Sequence, residues 1–193
     1  MTYYAVKSGK KTGIFNSWDE VKELVTGFEG AQFKSFSSQK DAKLYLAGME
    51  RSYQFDKPTA YVDGSFDEAT NRYSFGCVLF INDREFHFKR AFKEDDLTSM
   101  RNVAGEIKGA GFIIMYCINR GIKELVLYHD YIGISAWYNN EWKANMPGTK
   151  KYQDFANQVR EKISVEFVKV KSHTNDKYND LADYLAKEAL NLN

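Results

Sequence analysis

The alternation of hydrophobic and polar positions divides the chain into two groups of predicted elements. In the first 48 residues it predicts a β-β-α-β-α order. The strands are expected at 2–7, 12–15 and 33–36, and the helices after Ser17 and Ser38. Ser17 and Glu20 have the spacing of a capping box, so we expect both side chains to cap the first helix.

From Pro58 onwards, three strand-like runs are followed by alternating strands and helices. The predicted strands cover 59–66, 73–82, 84–92, 124–129 and 164–169, and the predicted helices cover 100–120, 132–142, 149–162 and 177–191. Asn82 and Asp83 predict a hairpin turn. This order predicts an α/β fold in which helices flank a mixed five-stranded sheet. We expect a small domain at 1–48, a linker at 49–57 and a larger domain at 58–193.

Composition supports two folded domains but gives no strong electrostatic signal. The 193 residues are 44% hydrophobic and 16% aromatic, which excludes global disorder. The net charge is +1, with seven lysines and five acidic residues in 1–48, a balance of +2. Residues 58–193 hold eighteen basic and nineteen acidic residues, a balance of −1. The larger domain is therefore not expected to bind polyanions strongly by charge alone.

The cysteine spacing and the apolar runs bear on the redox environment and the cellular location of the protein. Cys77 and Cys117 lie in apolar stretches without metal-type spacing, which favours two buried thiols over a disulfide or a zinc site. No signal-like segment precedes the first strand, and the longest apolar run, 109–118, is too short to span a bilayer. We expect a cytoplasmic, monomeric protein that does not contact membranes.

Four acidic residues are the main candidates for chemistry: Asp63, Glu106, Asp130 and Asp183. Each lies where a predicted strand or helix would present it. Carboxylates that converge in an α/β core repel one another unless a hard cation lies among them. A single acid is most simply a solvated surface charge, but four at such positions favour a site for paired Mg²⁺ or Mn²⁺ in phosphodiester chemistry.

The motifs around these acids resemble type 1 ribonuclease H. They are, in order, TAYVDGS at 59–65, NVAGE at 102–106, YHD at 128–130, His173, and Asn179 followed by Asp183. The N-terminal motifs resemble the RNA–DNA hybrid-binding domain, which also occurs in plant-virus (caulimovirus) inclusion-body proteins. They are YAVK at 4–7, KTGIF at 11–15, Trp18 and FKSF at 33–36.

The resemblance implies an endonuclease that hydrolyses the RNA strand of RNA–DNA hybrids and leaves 5′-phosphate and 3′-hydroxyl ends. It implies two Mg²⁺ ions, with Mn²⁺ as a possible substitute, held by Asp63, Glu106, Asp130 and Asp183. One ion would activate the attacking water, and a second, about 4 Å away, would stabilise the leaving oxygen. His173 would assist proton transfer or product release.

Several further residues are expected at the substrate. Asn102 shares a helical face with Glu106 and, by resemblance, would contact the RNA strand through its 2′-hydroxyls. Gly64 and Ser65 follow Asp63 and are expected beside the scissile strand. Asn179 shares a face with Asp183, although a simple helix-start role is equally compatible with its position. His87 and His129 are expected to be structural or surface residues.

Hybrid affinity is expected to reside in the N-terminal unit. Many relatives carry a basic helical protrusion between the third and fourth acids, but the segment 137–149 of this chain has no cluster of Lys or Arg. Trp18 and Phe33 are expected to stack on DNA sugars, while Lys10, Lys11 and Lys34 meet phosphates. The alternative is that both rings belong to the core of a very small domain.

Two other functions remain open from the sequence. A catalytically silent hybrid or double-stranded-RNA binder is disfavoured by the four acids. A different nuclease of the same broad fold, such as a junction resolvase, transposase or exonuclease, is disfavoured by the Asn102–Glu106 pair and by the separate N-terminal unit.

Overall fold

In the computed structural model, the described residues are 2–36, 39–48, 55–82, 84–170 and 176–192. The predicted roles of Ser38, Asp83 and His173 fall outside these ranges. The chain divides into two compact units, Met1–Gln54 and Phe55–Asn193.

The smaller unit is a three-stranded antiparallel sheet with two helices. Its elements are β1 (Tyr3–Ser8), β2 (Gly13–Phe15), α1 (Trp18–Val25), β3 (Gln32–Phe36) and α2 (Gln39–Leu46). The strand order is β2-β1-β3. Adjacent residues of β1 point to opposite faces: Ala5 packs with Phe36, Ala42 and Tyr45, and Val6 packs with Phe15 and Val21. Each helix therefore covers one face of the sheet.

The start of α1 differs from the predicted capping box. Ser17 is the N-cap residue with extended backbone, but its side chain makes no capping hydrogen bond. The expected reciprocal cap was therefore wrong, although the start of the helix was placed correctly. The acidic side chains of Asp19 and Glu20 in the first turn still stabilise the N-terminus of the helix, because they lie at the positive end of its dipole.

The larger unit contains the predicted mixed sheet. Its elements are β4 (Thr59–Asp67), β5 (Arg72–Ile81), β6 (Arg84–Phe92), α3 (Asn102–Asn119), β7 (Glu124–His129), α4 (Gly133–Tyr138), α5 (Pro147–Val159), β8 (Ser164–Lys169) and α6 (Lys177–Ala189). The strand order is β6-β5-β4-β7-β8. Strand β5 pairs antiparallel with both β4 and β6, whereas β7 is parallel to both β4 and β8. The predicted fold class is confirmed.

Helices α3 and α6 pack on opposite faces of the central strands. A Cβ on Gly109 of α3 would meet Val62 and Phe75, whereas a Cβ on Gly76 would meet the backbone of α6 at Ala182 and Ala186. Because side chains alternate along a strand, these contacts belong to the two different faces. Among the described residues, no helix is long and apolar enough to cross a membrane.

Helix α4 is shorter than predicted. It ends at Tyr138, and Asn140 has a φ of 61°, a left-handed conformation that asparagine tolerates better than most residues. The backbone N–H of Glu141 then donates to the carbonyl of Ala136 at 2.8 Å. The 139–146 segment that follows contains one basic residue, Lys143, and no helix.

Candidate metal centre

Two of the predicted metal ligands, Asp63 and Asp130, lie just beyond the paired residues of the neighbouring parallel strands β4 and β7. The β4–β7 pairing ends where Tyr61 lies opposite Tyr128, and their rings stack with centroids 4.4 Å apart. Asp63 and Asp130 each lie two residues further along their strand or the turn after it. The parallel register therefore brings these two carboxylates to the same edge of the sheet.

Glu106 completes a compact group of three carboxylates. One carboxylate oxygen from each of Asp63, Glu106 and Asp130 lies within 4.8 Å of the others. Glu106 comes from the second turn of α3. Gly64 and Gly105 let α3 approach β4, because a Cβ on Gly105 would lie only 2.9 Å from the Cα of Gly64. Two glycines thus set the position of the third acid.

Two of the three carboxylates are buried, and all three repel one another. Asp63 is 8% exposed and Glu106 is 1% exposed, while Asp130 is half-buried. Burial, followed by the charge of Asp130, raises the pKa of Asp63 to about 7. Burial and the charges of Asp130 and Asp63 raise the pKa of Glu106 to about 9. Such a group is unfavourable without a balancing positive charge.

The donor set fits a hard divalent cation. All three donors are carboxylate oxygens, which Mg²⁺ and Mn²⁺ prefer. Among the described residues, the buried Glu106 Oε2 has no hydrogen-bond partner. A buried acceptor of this kind is costly unless it gains a ligand. The residues present therefore fit a metal site.

Asp183 lies near this group but is not part of it. Its negative charge contributes to the raised pKa of Asp63. Its Oδ2, however, lies 2.7 Å from Nζ of Lys187, one turn further along α6. The pair is partly exposed. The structure therefore brings together three of the four predicted acids and places the fourth in an ion pair beside them.

The predicted substrate-binding residues next to these acids differ in their exposure. The backbone N–H of Gly64 donates to Oδ1 of Asp63 at 2.7 Å. Ser65 is buried. Asn102 is exposed at the start of α3, one turn before Glu106. Its side chain is thus open to a ligand on the surface.

Asn179 and the histidines occupy different environments. Asn179 is 5% exposed, and its Oδ1 has no hydrogen-bond partner among the described residues; its backbone N–H is capped by Asp176. His87 is exposed on β6 beside Glu85. His129 is completely buried at the end of β7.

In the smaller unit, the predicted aromatic residues form a surface cluster. Trp18 is 43% exposed and Phe33 is 40% exposed. The Trp18 ring centroid lies 5.7 Å from those of both Tyr4 and Phe33. The ammonium of Lys34 lies over Phe36 and that of Lys11 over Phe15. Lys10 donates to the backbone carbonyl of Glu23 at 3.1 Å.

The sequence interpretation missed an aromatic cleft beside the metal centre. The cleft has a volume of about 320 Å³, and its lining includes Val103, Tyr131, Trp137 and Met146. Trp142 packs edge-to-face on Trp137 and is 42% exposed. The available signal was the four aromatic residues of 131–142, of which Trp137, Tyr138 and Trp142 lie within the longer helix predicted at 132–142.

Comparisons with known proteins give a family match for each of the two units. Residues 2–46 match the family described as the ribonuclease H1 N-terminal domain, and residues 56–191 match the RNase H family. Ribonuclease H of Saccharomyces cerevisiae is 48% identical over 44 residues, which are 23% of this chain and 13% of the yeast protein. The match therefore spans only a small part of that relative. Ribonuclease H of Clostridium botulinum is 26% identical over 61% of this chain and 82% of its own length.

Solved structures show the same fold. The RNase H1 of the archaeon Halobacterium salinarum superposes on 70% of this chain and 98% of its own, with a TM-score of 0.58 and 20% identity. LC11-RNase H1 in complex with an RNA/DNA hybrid superposes on 69% of this chain and 99% of its own, with a TM-score of 0.53 and 15% identity. The chain therefore belongs to the ribonuclease H family, as a type 1 member that carries a ribonuclease H1 N-terminal domain.

Proposed function

We propose that this chain is an endoribonuclease that hydrolyses the RNA strand of RNA–DNA hybrids and leaves 5′-phosphate and 3′-hydroxyl ends. The observation that carries the proposal is the buried group of Asp63, Glu106 and Asp130 in a chain of the ribonuclease H family. The hybrid bound to LC11-RNase H1, a protein of the same fold, supports this choice of substrate.

Asp63, Glu106 and Asp130 would hold divalent cations, with Mg²⁺ as the expected ion and Mn²⁺ as a substitute. Two such ions, when bound, supply an activated water and neutralise charge on the leaving oxygen. Asp183 would join as a fourth ligand by exchanging its contact with Lys187. The raised pKa values of Asp63 and Glu106 support this role, because a bound cation stabilises the charged carboxylates that burial and mutual repulsion disfavour.

Substrate selection would depend on residues that neighbour the metal ligands. Asn102 is exposed one turn before Glu106, where its amide would contact a 2′-hydroxyl of the RNA strand. Gly64 and Ser65 would lie beside the scissile strand, and Asn179 would support Asp183 from one turn earlier in α6. His173, which lies outside the described residues, is proposed to transfer a proton to the leaving group.

The smaller unit would hold the hybrid. Exposed rings can stack on sugars or bases, and each such contact contributes about 1–3 kcal/mol. The cluster of Trp18 and Phe33 provides these rings, while Lys10, Lys11 and Lys34 supply positive charge for phosphates. The near-neutral charge of the larger domain supports this division of roles.

The test is cleavage of three labelled duplexes of one sequence: an RNA–DNA hybrid, a double-stranded RNA and a double-stranded DNA. With Mg²⁺, we expect cleavage of the RNA strand of the hybrid alone, and no cleavage in EDTA. Products that a polymerase can extend at the 3′ end would establish the 3′-hydroxyl. Binding without cleavage would instead indicate a silent hybrid binder, and cleavage of duplex DNA would indicate a different nuclease of this fold.

A further inference from the structure

The turn that carries Asp130 is held by a buried histidine. His129 is the last residue of β7 and directly precedes Asp130. Its side chain is completely buried. Phe167 of β8 packs edge-to-face against the imidazole, with centroids 5.7 Å apart. The ring therefore has a fixed place in the core, at the end of the strand that leads into Asp130.

The hydrogen bond of this ring has a defined direction. Nδ1 of His129 lies 2.9 Å from the backbone carbonyl oxygen of Tyr131. A carbonyl oxygen only accepts, so Nδ1 carries the hydrogen and donates it. Nε2 is buried and has no hydrogen-bond partner among the described residues. A bare Nε2 fits this setting, because burial lowers the pKa of His129 and favours the neutral ring.

The contacts of Tyr131 connect the histidine to two of the acids. Its carbonyl oxygen also accepts from the backbone N–H of Ile134 at 3.1 Å, at the start of α4. Its backbone N–H donates to the Glu106 carboxylate and opposes the rise in the pKa of Glu106. Tyr131 is therefore held through its carbonyl oxygen while its N–H orients Glu106, and Asp130 is the residue between the histidine and this anchor.

We propose that His129 is a positioning residue for the metal centre: its Nδ1–H fixes the Tyr131 peptide and thereby sets the separation of Asp130 and Glu106. The proposal rests on the proposed metal-dependent function. Removal of a hydrogen-bond donor that orients a metal ligand typically lowers metal affinity or activity by about 10–100-fold.

Three substitutions of His129, made in the full chain, distinguish a positioning role of this side chain from a role in core packing alone. In His129→Asn, the side-chain amide nitrogen occupies the place of Nδ1 and keeps the donor. In His129→Gln, the amide reaches the place of Nε2 instead, and in His129→Leu no donor remains. Mn²⁺ affinity is measured by calorimetry, Tm by circular dichroism, and kcat and KM on a labelled hybrid.

We expect His129→Asn to keep Mn²⁺ affinity within about threefold of the wild type, a change smaller than the contribution of one hydrogen bond. His129→Gln and His129→Leu should lose about tenfold or more in Mn²⁺ affinity and in kcat, with KM nearly unchanged. The Asn and Gln variants are of similar polarity, so a difference between them reports the position of the donor.

Equal Mn²⁺ affinity for the Asn and Gln variants would overturn the positioning role, as would retention of wild-type affinity by His129→Leu. If His129→Leu does not fold, the comparison of Mn²⁺ affinity between His129→Asn and His129→Gln still tests the positioning role. Failure of the wild type itself to bind Mn²⁺ would instead overturn the proposed function, so the two failures are distinguishable.

Discussion

Gly64 of β4 and Gly105 of α3 pack so closely that a Cβ on Gly105 would lie 2.9 Å from the Cα of Gly64 and would collide with the carbonyl oxygen of Ser74. Glu106 is the next residue along α3. The contact of these two glycines therefore determines how far the carboxylate of α3 lies from that of β4.

Gly105→Ala is expected to push α3 away from the sheet. Overpacking of this kind typically costs about 1–3 kcal/mol, and backbone contacts leave little room to relax. We expect a lower free energy of unfolding in urea and weaker Mn²⁺ binding. Gly111→Ala on the same helix is the control, because its Cβ would meet only Phe155, at 3.9 Å. There the alanine should stabilise the protein by up to about 1 kcal/mol. Equal effects of the two substitutions would contradict this account.

The raised carboxyl pKa values predict an unusual pH dependence for the metal-free protein. Protonated Asp63 and Glu106 are favoured by the fold, so their contribution to stability is complete below the ordinary carboxyl pKa near 4. It is lost as the pH rises through about 7 for Asp63 and about 9 for Glu106. The metal-free protein should therefore carry a growing electrostatic penalty between pH 5 and pH 9.

Asp63→Asn should remove much of this penalty. In EDTA, we expect the variant to exceed the wild type in free energy of unfolding by an amount that grows with pH and reaches on the order of 2 kcal/mol. Urea unfolding at pH 5, 7 and 9 measures the difference. Added Mg²⁺ should stabilise the wild type and not the variant. A wild type that is the more stable of the two at pH 9 in EDTA would contradict the assigned pKa shifts.

The ion pair of Asp183 predicts an effect on metal affinity. Lys187 places a positive charge next to Asp183 and lowers the pKa of Asp63. A cation at the centre would be repelled by this charge, so Lys187→Gln should tighten Mn²⁺ binding by about threefold at low salt and less at high salt. Lys151→Gln, in an exposed pair with Asp96, is the control. Weaker binding in Lys187→Gln alone would mean that the lysine supports the centre.

The aromatic cluster of the smaller unit can be tested by binding alone. Trp18→Ala should weaken hybrid affinity by about tenfold, because a stacked ring contributes about 1–3 kcal/mol. Phe28→Ala is the matched control, since Phe28 is similarly exposed at 37% but is not a member of the Tyr4, Trp18 and Phe33 cluster. Fluorescence anisotropy with a labelled hybrid in EDTA measures both. Equal losses would place the binding surface elsewhere.

The sequence predicted the sheet well because the strands carry strong local signals. The predicted strand 84–92 coincides with β6, and 124–129 coincides with β7. Strand–helix alternation then limits the topology to few arrangements. Predictions that depended on one side chain were less successful. Ser17 was expected to cap α1 and makes no capping bond. Helix α4 ends four residues earlier than predicted, two residues before the left-handed Asn140.

Much of the candidate site depends on long-range packing that local patterns do not encode. The register of Tyr61 with Tyr128 brings Asp63 and Asp130 to one edge, and the sequence gives no direct signal for a parallel register. Likewise, the burial of His129 arises from Phe167, 38 positions later in the chain. The pairing of Asp183 with Lys187 follows helical spacing, yet only the fold shows that the pair lies beside the other acids.

The most direct test of the central claim is cleavage of a labelled RNA–DNA hybrid in Mg²⁺ by the wild type, by Asp63→Asn and by Glu161→Gln, an exposed acid outside the site. Hybrid binding by the same proteins is measured in EDTA. We predict that Asp63→Asn abolishes cleavage, with a loss of about 1,000-fold or more, while hybrid affinity stays within about threefold and Glu161→Gln resembles the wild type. Cleavage by Asp63→Asn at the wild-type rate would contradict the assignment of this carboxylate group as the catalytic metal centre.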